Sequence, residues 1–188
     1  MNYIDYIHTM KKNGDGLMPT SQYLGIAKYL ADVAPCNLLV FGLGGDSRLW
    51  DFMNKGANTC FLEDDQEWIE KMGKGLNVFS VEYKTKVEEW ESTSYDDPIL
   101  NLDLSPQLRS INWDFIIVDA PLGHQPPRPF NGPGRMSSIF ESHRLIRDGG
   151  IVVIDDMGRE CEKTSSYHYF GKNNLVELIE NKVGVFKK

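Results

Sequence analysis

Residues 37–46 read Asn-Leu-Leu-Val-Phe-Gly-Leu-Gly-Gly-Asp, an apolar run that ends in a glycine-rich turn. About twenty residues further on, residues 61–65 read Phe-Leu-Glu-Asp-Asp, so a second apolar run ends in carboxylates. This spacing is typical of a Rossmann-like βαβ unit that binds an adenosine, because glycines let a ligand approach the backbone and an acid accepts hydrogen bonds from ribose hydroxyls. The sequence therefore predicts a nucleoside cofactor at Gly42, Gly44 and Glu63, although a Gly-x-Gly turn also occurs for purely structural reasons.

Asp46 indicates which cofactor the turn suits. An acid at the start of the helix that follows the turn would repel the pyrophosphate of a dinucleotide. S-adenosylmethionine has no phosphate and carries a cationic sulfonium and a cationic ammonium, so the loop favours this cofactor over NAD. Glu63 is predicted to bind the ribose hydroxyls, and Asp64 and Asp65 are alternatives for that role or for a helix N-cap.

Apolar runs alternate with helical patterns along the chain. Strands are expected at 37–41, 59–62, 78–83, 113–118 and 151–154; helices are expected at 22–33, 47–55, 66–72 and 136–146; and the tail 175–188 is expected to add one helix and a short strand. This alternation predicts an α/β fold with a mostly parallel sheet flanked by helices. The length of 188 residues suits a single domain over 1–188, whether complete or excised from a longer protein.

Composition excludes some classes of protein. The formal charge of −7 argues against a nucleic-acid groove, which needs a basic face. No apolar run approaches the ~20 residues of a membrane-spanning helix, and no signal peptide is visible. The three cysteines are scattered and lack metal-type spacing, which fits a reducing compartment, so a cytoplasmic location is expected. No feature of the sequence predicts an oligomeric state.

Three carboxylates follow two of the expected strands. Asp119 comes directly after 113–118, and Asp155 and Asp156 follow 151–154. The carboxyl ends of parallel strands meet at one edge of the sheet, where ligands bind. Uncompensated carboxylates would repel each other there, so a divalent cation such as Mg²⁺, Mn²⁺ or Co²⁺ is predicted at this edge. The alternative is that these side chains only cap the loop and the helix that follow them.

The loop 121–136 follows Asp119 directly and is rich in proline and glycine. His124 is a candidate general base, since its reference pKa lies near ~6.5. Arg135 is expected to hydrogen-bond the acceptor or the carboxylates that shape the site. Arg128 is a candidate ligand of the acceptor, and Phe130 is a candidate stacking partner for a sugar face. The alternative is a proline-stiffened surface loop with solvated side chains.

Several of these motifs occur together, in the same order, in a known family. They are the run 34–44 with Asp46, Ser47 and Trp50; Phe61-Leu62-Glu63; Glu67-Trp68; Tyr83-Lys84-Thr85; Trp113-Asp114; Val118-Asp119-Ala120-Pro121; Pro133-Gly134-Arg135-Met136; Ile139-Phe140; and Glu162-Lys163. The chain resembles the glucuronoxylan 4-O-methyltransferase family of polysaccharide-biosynthesis proteins. The resemblance covers residues 20–163, and Pro-Cys-Asn-x-Leu-Val-Phe-Gly-Leu-Gly and Pro-Gly-Arg-Met are its most specific motifs.

The resemblance implies a class I S-adenosylmethionine-dependent methyltransferase with a seven-stranded sheet. Its acceptor would be a hydroxyl of a uronic acid or related sugar on a polysaccharide, and Gly42, Gly44 and Glu63 would bind the cofactor. The chain departs from the family at Gly45, where the family has histidine, and at Asp155, where it commonly has histidine before Asp156. The membrane anchor and Golgi-type stem that the resemblance implies are not expected within residues 1–188.

A second resemblance concerns the site alone. One aspartate after a strand and an Asp-Asp pair after the next are similar to the metal ligands of catechol-type O-methyltransferases. Those enzymes place a lysine base where this chain has Leu122. A base would then have to be His124 or a carboxylate. The alternative functions are therefore a metal-dependent methyltransferase of a small diol or phenol, and a non-catalytic module that keeps the cofactor-binding fold.

Overall fold

The computed structural model describes residues 2–123 and 132–188. Its strands form one mostly parallel sheet with the order β3-β2-β1-β4-β5-β7-β6. The first five strands in this order run parallel, and β7 pairs antiparallel with both β5 and β6. The strands are β1 (Leu38–Phe41), β2 (Thr59–Glu63), β3 (Val78–Ser80), β4 (Trp113–Val118), β5 (Ile146–Ile154), β6 (Leu175–Ile179) and β7 (Val183–Lys187). Within the described ranges this confirms the predicted seven-stranded α/β sheet.

Helices connect most of these strands. They are α1 (Tyr3–Lys12), α2 (Thr20–Val33), α3 (Ser47–Met53), α4 (Gln66–Met72), α5 (Pro106–Ser110), α6 (Met136–Leu145) and α7 (Glu160–Phe170). Short 3-10 helices lie at Val87–Glu89, Pro98–Leu100 and Lys172–Asn174. Across the described residues, every helix is too short or too polar to span a bilayer.

The core lies on both faces of the sheet because successive strand residues point to opposite sides. Leu38 and Val40 of β1 pack into the cluster that also holds Ile26 of α2. Leu39 and Phe41 of the same strand pack into the cluster that holds Ile139 of α6. Helices α1–α4 contribute to the first cluster and α5–α7 to the second. The central strands are therefore apolar on both faces, which is typical of parallel strands between two helical layers.

Two elements differ from the sequence-based expectation. The N-terminal segment, which shows little sequence pattern, forms α1. The Asn2 side chain caps it by accepting from the backbone N–H of Asp5 at 2.9 Å, and α1 buries Ile7 and Met10 against the core. The tail forms the β6–β7 hairpin in place of the expected helix and short strand. Glu180 and Asn181 both have positive φ in its turn. β7 also pairs antiparallel with β5, a partner that the sequence of residues 175–188 does not reveal.

Candidate active site

The chain reverses direction at Gly42, directly after β1. Gly42 has φ +117°, and a Cβ at this position would lie 3.1 Å from the Cβ of Ala120. Its N–H donates to the carbonyl of Leu62 at 2.8 Å. Only glycine fits here, because the backbone is in a conformation that L side chains rarely adopt and because the end of β4 passes so close. The glycine turn and Asp119 therefore border the same crevice at the carboxyl edge of the sheet.

Glu63 ends β2 with its carboxylate turned toward the glycine turn. Its Oε2 accepts from the N–H of Leu43 at 2.8 Å, and its Oε1 accepts from the N–H groups of Asp64 and Asp65 at 3.1 and 3.0 Å. Burial raises the pKa of Glu63, and these three backbone donors oppose that rise. A carboxylate has about four acceptor positions, so with three of them used, about one on Oε2 remains for a ligand hydroxyl.

Asp46 stands beside the second glycine of the turn. Its Oδ1 lies 3.0 Å from the position that a Cβ on Gly44 would take. Burial is the largest cause that raises the pKa of Asp46, and hydrogen bonds with the side chains of Tyr23 and Trp50 oppose it. The carboxylate thus faces the turn where the sequence predicts the cationic end of the cofactor.

Residues 13–18, which we call the N-terminal strap, lie across the outside of the turn. A Cβ on Gly45 would lie 2.7 Å from the backbone nitrogen of Gly16, so the backbones of the strap and the glycine turn are in contact. The Lys11 ammonium holds the strap by donating to the carbonyls of Gly16 and Met18 at 2.9 and 2.8 Å. No sequence motif predicted this contact, because it depends on α1 turning back over the sheet.

Arg135 lies at the centre of the predicted carboxylate cluster. Its Nη2 is 3.1 Å from Asp119 Oδ1 and 3.2 Å from Asp156 Oδ2, and its Nη1 is 3.6 Å from Asp155 Oδ2. Its Nε donates to the carbonyl of Pro121 at 3.1 Å. Arg135 is only 2% exposed. It therefore contacts the carboxylates that shape the site, one of the two roles expected from the sequence.

The predicted divalent-cation site at Asp119, Asp155 and Asp156 is not supported. That prediction assumed uncompensated carboxylates, and this assumption is wrong, since the Arg135 guanidinium lies among all three. Within residues 2–123 and 132–188, no three His, Cys, Asp or Glu side chains are grouped so that they could hold a metal ion. This donor set, with a guanidinium at its centre, does not fit a metal.

Asp119 has an unusual electrostatic environment. A third of its side chain (34%) faces the crevice, yet desolvation by burial raises its pKa well above the ordinary value. Arg135 opposes this rise, whereas the nearby charges of Asp155 and Asp46 add to it. A carboxylate with a raised pKa beside a crevice has the properties of a general base.

Two further cations contact the cluster and were missed from sequence. Arg159 Nη2 is 2.8 Å from Asp156 Oδ2, and Lys182 Nζ is 3.6 Å from Asp156 Oδ1. Arg159 follows Asp156 by three residues, a spacing that could have signalled the pair. Lys182 comes from the β6–β7 turn, so no local pattern connects it with the site.

The remaining acceptor residues lie outside the described part of the chain. His124, Arg128 and Phe130 belong to residues 124–131, so their predicted roles stay predictions. The base of the same loop is described at both ends. The Ser138 hydroxyl donates to the carbonyl of Ala120 at 2.7 Å, and the N–H of Val87 donates to the carbonyl of Gly132 at 2.9 Å.

Two plant proteins illustrate what the sequence resembles. Glucuronoxylan 4-O-methyltransferase 2 of Arabidopsis thaliana is 36% identical, over 76% of this chain and 57% of its own. Arabinogalactan O-methyltransferase 2 of Arabidopsis thaliana is 35% identical, over 80% of this chain and 60% of its own. The chain thus spans somewhat more than half the length of these curated relatives.

Solved structures agree on the fold. An S-adenosylmethionine-dependent O-methyltransferase from Thermotoga maritima superposes with a TM-score of 0.51 over 94% of this chain and 58% of that one, at 14% identity. At this identity the likeness shows the fold alone, which is that of class I S-adenosylmethionine-dependent methyltransferases. The family model described as IRX15/IRX15L/GXM matches residues 23–186. With relatives above 30% identity over more than two thirds of its length, the chain belongs to the IRX15/IRX15L/GXM family.

Proposed function

We propose that the chain is the catalytic domain of an S-adenosylmethionine-dependent O-methyltransferase that methylates a sugar hydroxyl of a polysaccharide, on a uronic acid or a related sugar. The main support for this proposal is that the glycine turn and Asp119 border the same crevice. A Cβ on Gly42 would lie 3.5 Å from the backbone carbonyl carbon of Asp119. A methyl donor held by the turn would reach an acceptor held beside Asp119. The names of the xylan and arabinogalactan relatives support the acceptor class.

The cofactor half of the proposal assigns one role to each residue of the turn. Gly42 and Gly44 allow the ligand to approach the backbone, and Glu63 accepts hydrogen bonds from the ribose hydroxyls. Asp46 faces the positive charges of the methionine part. When bound, the cofactor would supply an electrophilic methyl carbon on a sulfonium; as the alcohol oxygen takes this methyl group, the carbon–sulfur bond breaks and S-adenosylhomocysteine leaves as a neutral thioether.

The acceptor half rests on Asp119 as the base. The sugar hydroxyl loses its proton as its oxygen forms the bond to the methyl carbon, and the carboxylate of Asp119 takes that proton. Arg135 fixes Asp119 by its contact at 3.1 Å and holds the start of the acceptor loop through Pro121. His124 stays the alternative base. Positioning of the hydroxyl in line with the methyl group contributes much of the rate.

The contacts of Arg135 argue against the predicted dependence on a divalent cation. Arg135 already neutralises charge among Asp119, Asp155 and Asp156. We therefore expect methyl transfer to persist in excess EDTA. Loss of activity in EDTA, with recovery on adding Mg²⁺, Mn²⁺ or Co²⁺, would instead favour the metal-dependent reaction on a small diol or phenol, with Arg135 displaced.

The direct test combines binding and turnover. Calorimetry should show that S-adenosylhomocysteine binds and that NAD does not. Methyl transfer from labelled S-adenosylmethionine should then be measured on glucuronoxylan, on arabinogalactan and on catechol. Cofactor binding without transfer to any glycan would favour the non-catalytic module, an alternative that Leu122 keeps open because it stands where catechol-type enzymes have lysine. Transfer to catechol alone would overturn the sugar assignment.

A further inference from the structure

Glu162, in the first turns of α7, is a buried carboxylate that the proposed mechanism does not use. It is 1% exposed, and among the described residues neither of its side-chain oxygens has a hydrogen-bond donor. Two guanidinium groups act on its charge: Arg135, which lowers the pKa of Glu162 the more, and Arg159, whose Nη1 lies 3.5 Å from Oε1. An underpartnered buried carboxylate is costly, because it has lost its water and gained little in return.

Glu141 on the adjacent helix α6 shows how a structural buried carboxylate is normally satisfied. It is 0% exposed, and Arg109 donates to both of its oxygens at 3.1 Å. The N–H of Leu102 donates to Oε1 at 3.0 Å. Glu141 therefore ties α6 to the segment 102–109, with at least one donor on each of its oxygens. Glu162 has nothing comparable, so a structural role of the same kind does not explain it.

Glu162 lies at the point where the acceptor loop begins. Its Oε1 is 3.6 Å from the position that a Cβ on Gly123 would take. Arg159 Nη1, which contacts Glu162, also donates to the carbonyl of Leu122 at 3.3 Å. The other end of the same guanidinium contacts Asp156 at 2.8 Å. Arg159 thus joins the first residues of the loop to the carboxylates of the site.

The Arg159 guanidinium lies between two carboxylates, since it contacts both Asp156 and Glu162. Asp156 attracts the guanidinium toward the strand end, whereas Glu162 attracts its Nη1 toward Gly123. In this position the Arg159 guanidinium donates from Nη1 to the carbonyl of Leu122. Gly123 has φ +65°, and a Cβ there would lie 2.8 Å from Arg159 Nη1, so the backbone leaves space for the guanidinium at this point.

We propose that Glu162 is a positioning residue for the acceptor: through Arg159 it fixes the backbone of Leu122 and Gly123, and thereby the start of the loop that borders the acceptor site. The proposal rests on the proposed function in assigning this loop to the acceptor. It places Glu162 behind the reacting groups, not in contact with them. Its burial without donors is then a cost in stability that is retained because the charge orients Arg159.

The test is Glu162→Gln, which removes the charge and keeps the shape. Since no hydrogen bond accepted by Glu162 is lost, its melting temperature should equal or exceed that of the wild type. Glu141→Gln is the matched control and should melt lower, because it weakens a carboxylate that accepts three hydrogen bonds. Hydrogen–deuterium exchange in peptides that contain residues 119–123 should rise at least threefold in Glu162→Gln and stay unchanged in Glu141→Gln.

Kinetics supply the second readout. In Glu162→Gln the acceptor KM should rise at least fivefold, while the Kd of S-adenosylhomocysteine changes less than twofold. Arg159→Gln should give the same shift, and the double variant should be no worse than Arg159→Gln alone, since both residues act through one contact. Glu160→Gln, on the exposed side of the same helix, should behave as the wild type.

These outcomes separate the two hypotheses. If no glycan is methylated by the wild type, the proposed function fails, yet exchange at 119–123 still tests the role of Glu162. Unchanged exchange with an unchanged acceptor KM would overturn the positioning role. A lower melting temperature in Glu162→Gln with wild-type exchange would show that Glu162 is structural, as Glu141 is.

Discussion

Replacement of Arg135 by lysine tests the site most directly. Arg135→Lys keeps one positive charge but removes the planar fork that reaches Asp119, Asp155, Asp156 and the carbonyl of Pro121. A lysine ammonium is a compact point charge and cannot span these positions at once. The variant therefore separates the charge of Arg135 from its geometry.

The expected loss of stability follows from the contacts. Because the charge is kept, the ~3–5 kcal/mol cost of leaving buried carboxylates without a partner is avoided. Two of the contacts of Arg135 should be lost, each worth about 1.5–3 kcal/mol since one partner is charged. With relaxation around the lysine, unfolding should become easier by about 2–4 kcal/mol. For a chain of this size, that lowers the melting temperature by about 5–15 °C.

The assay combines thermal unfolding, calorimetry and turnover. The kcat of Arg135→Lys should fall at least tenfold, because Asp119 loses its fixed orientation, while the Kd of S-adenosylhomocysteine changes less than threefold. Arg147→Lys is the matched control, since Arg147 pairs with Asp114 at 2.5 Å near the surface and is 44% exposed. Exposed pairs contribute about 1 kcal/mol or less, so this control should stay within a few degrees of the wild type. Wild-type stability and turnover in Arg135→Lys would refute the role assigned to the guanidinium.

Two further predictions concern the base and the glycine turn. With Asp119 as the base, kcat/KM should fall as pH is lowered through its raised pKa, and Asp119→Asn should abolish turnover without loss of cofactor binding; a pH profile of Asp119→Asn that matches the wild type would exclude this role. Because the pKa of Asp119 is higher in the folded than in the unfolded protein, the protonated side chain stabilises the fold below about pH 4, the pKa of an unfolded Asp. That contribution is lost as the pH rises through the folded-state pKa. In denaturant titrations, Asp119→Asn should therefore lose less stability than the wild type over this pH range. Gly44→Val should keep the fold, since the close neighbour of its Cβ is a side-chain atom of Asp46, but calorimetry should detect no S-adenosylhomocysteine; retained affinity would place the cofactor elsewhere.

The parts of the fold that sequence predicts are those with strong local patterns. β1, β2 and β4 are apolar runs next to glycine or carboxylates, and they form within a residue or two of the expected bounds. α1 was missed because its only buried residues in the structure are Ile7 and Met10, too few for a recognisable stripe. β5 begins at Ile146, five residues earlier than expected, because Asp148-Gly149-Gly150 reads as a turn in isolation but continues the strand here.

In the candidate active site, the carboxylates could be predicted from the sequence, but the cations that pair with them could not. The spacing of strands places Asp119, Asp155 and Asp156 at one edge, and the structure brings them together there. What neutralises them depends on a residue that follows a long loop, Arg135, and on Arg159 at the start of α7. Sequence spacing gives no distance between such elements, so a bound cation and a buried guanidinium were equally compatible with the pattern.

The contact between Gly16 and Gly45 limits how relatives can be used as templates. A side chain at position 45 and the present path of the N-terminal strap exclude each other, since a Cβ there would lie 2.7 Å from a backbone nitrogen. In a family member with histidine after Gly-Leu-Gly, a segment that followed the same path would have to shift away from the turn. The family match begins at residue 23, beyond the strap. Residues 13–18, and the entrance beside the glycine turn that they border, should therefore not be placed by copying such a relative.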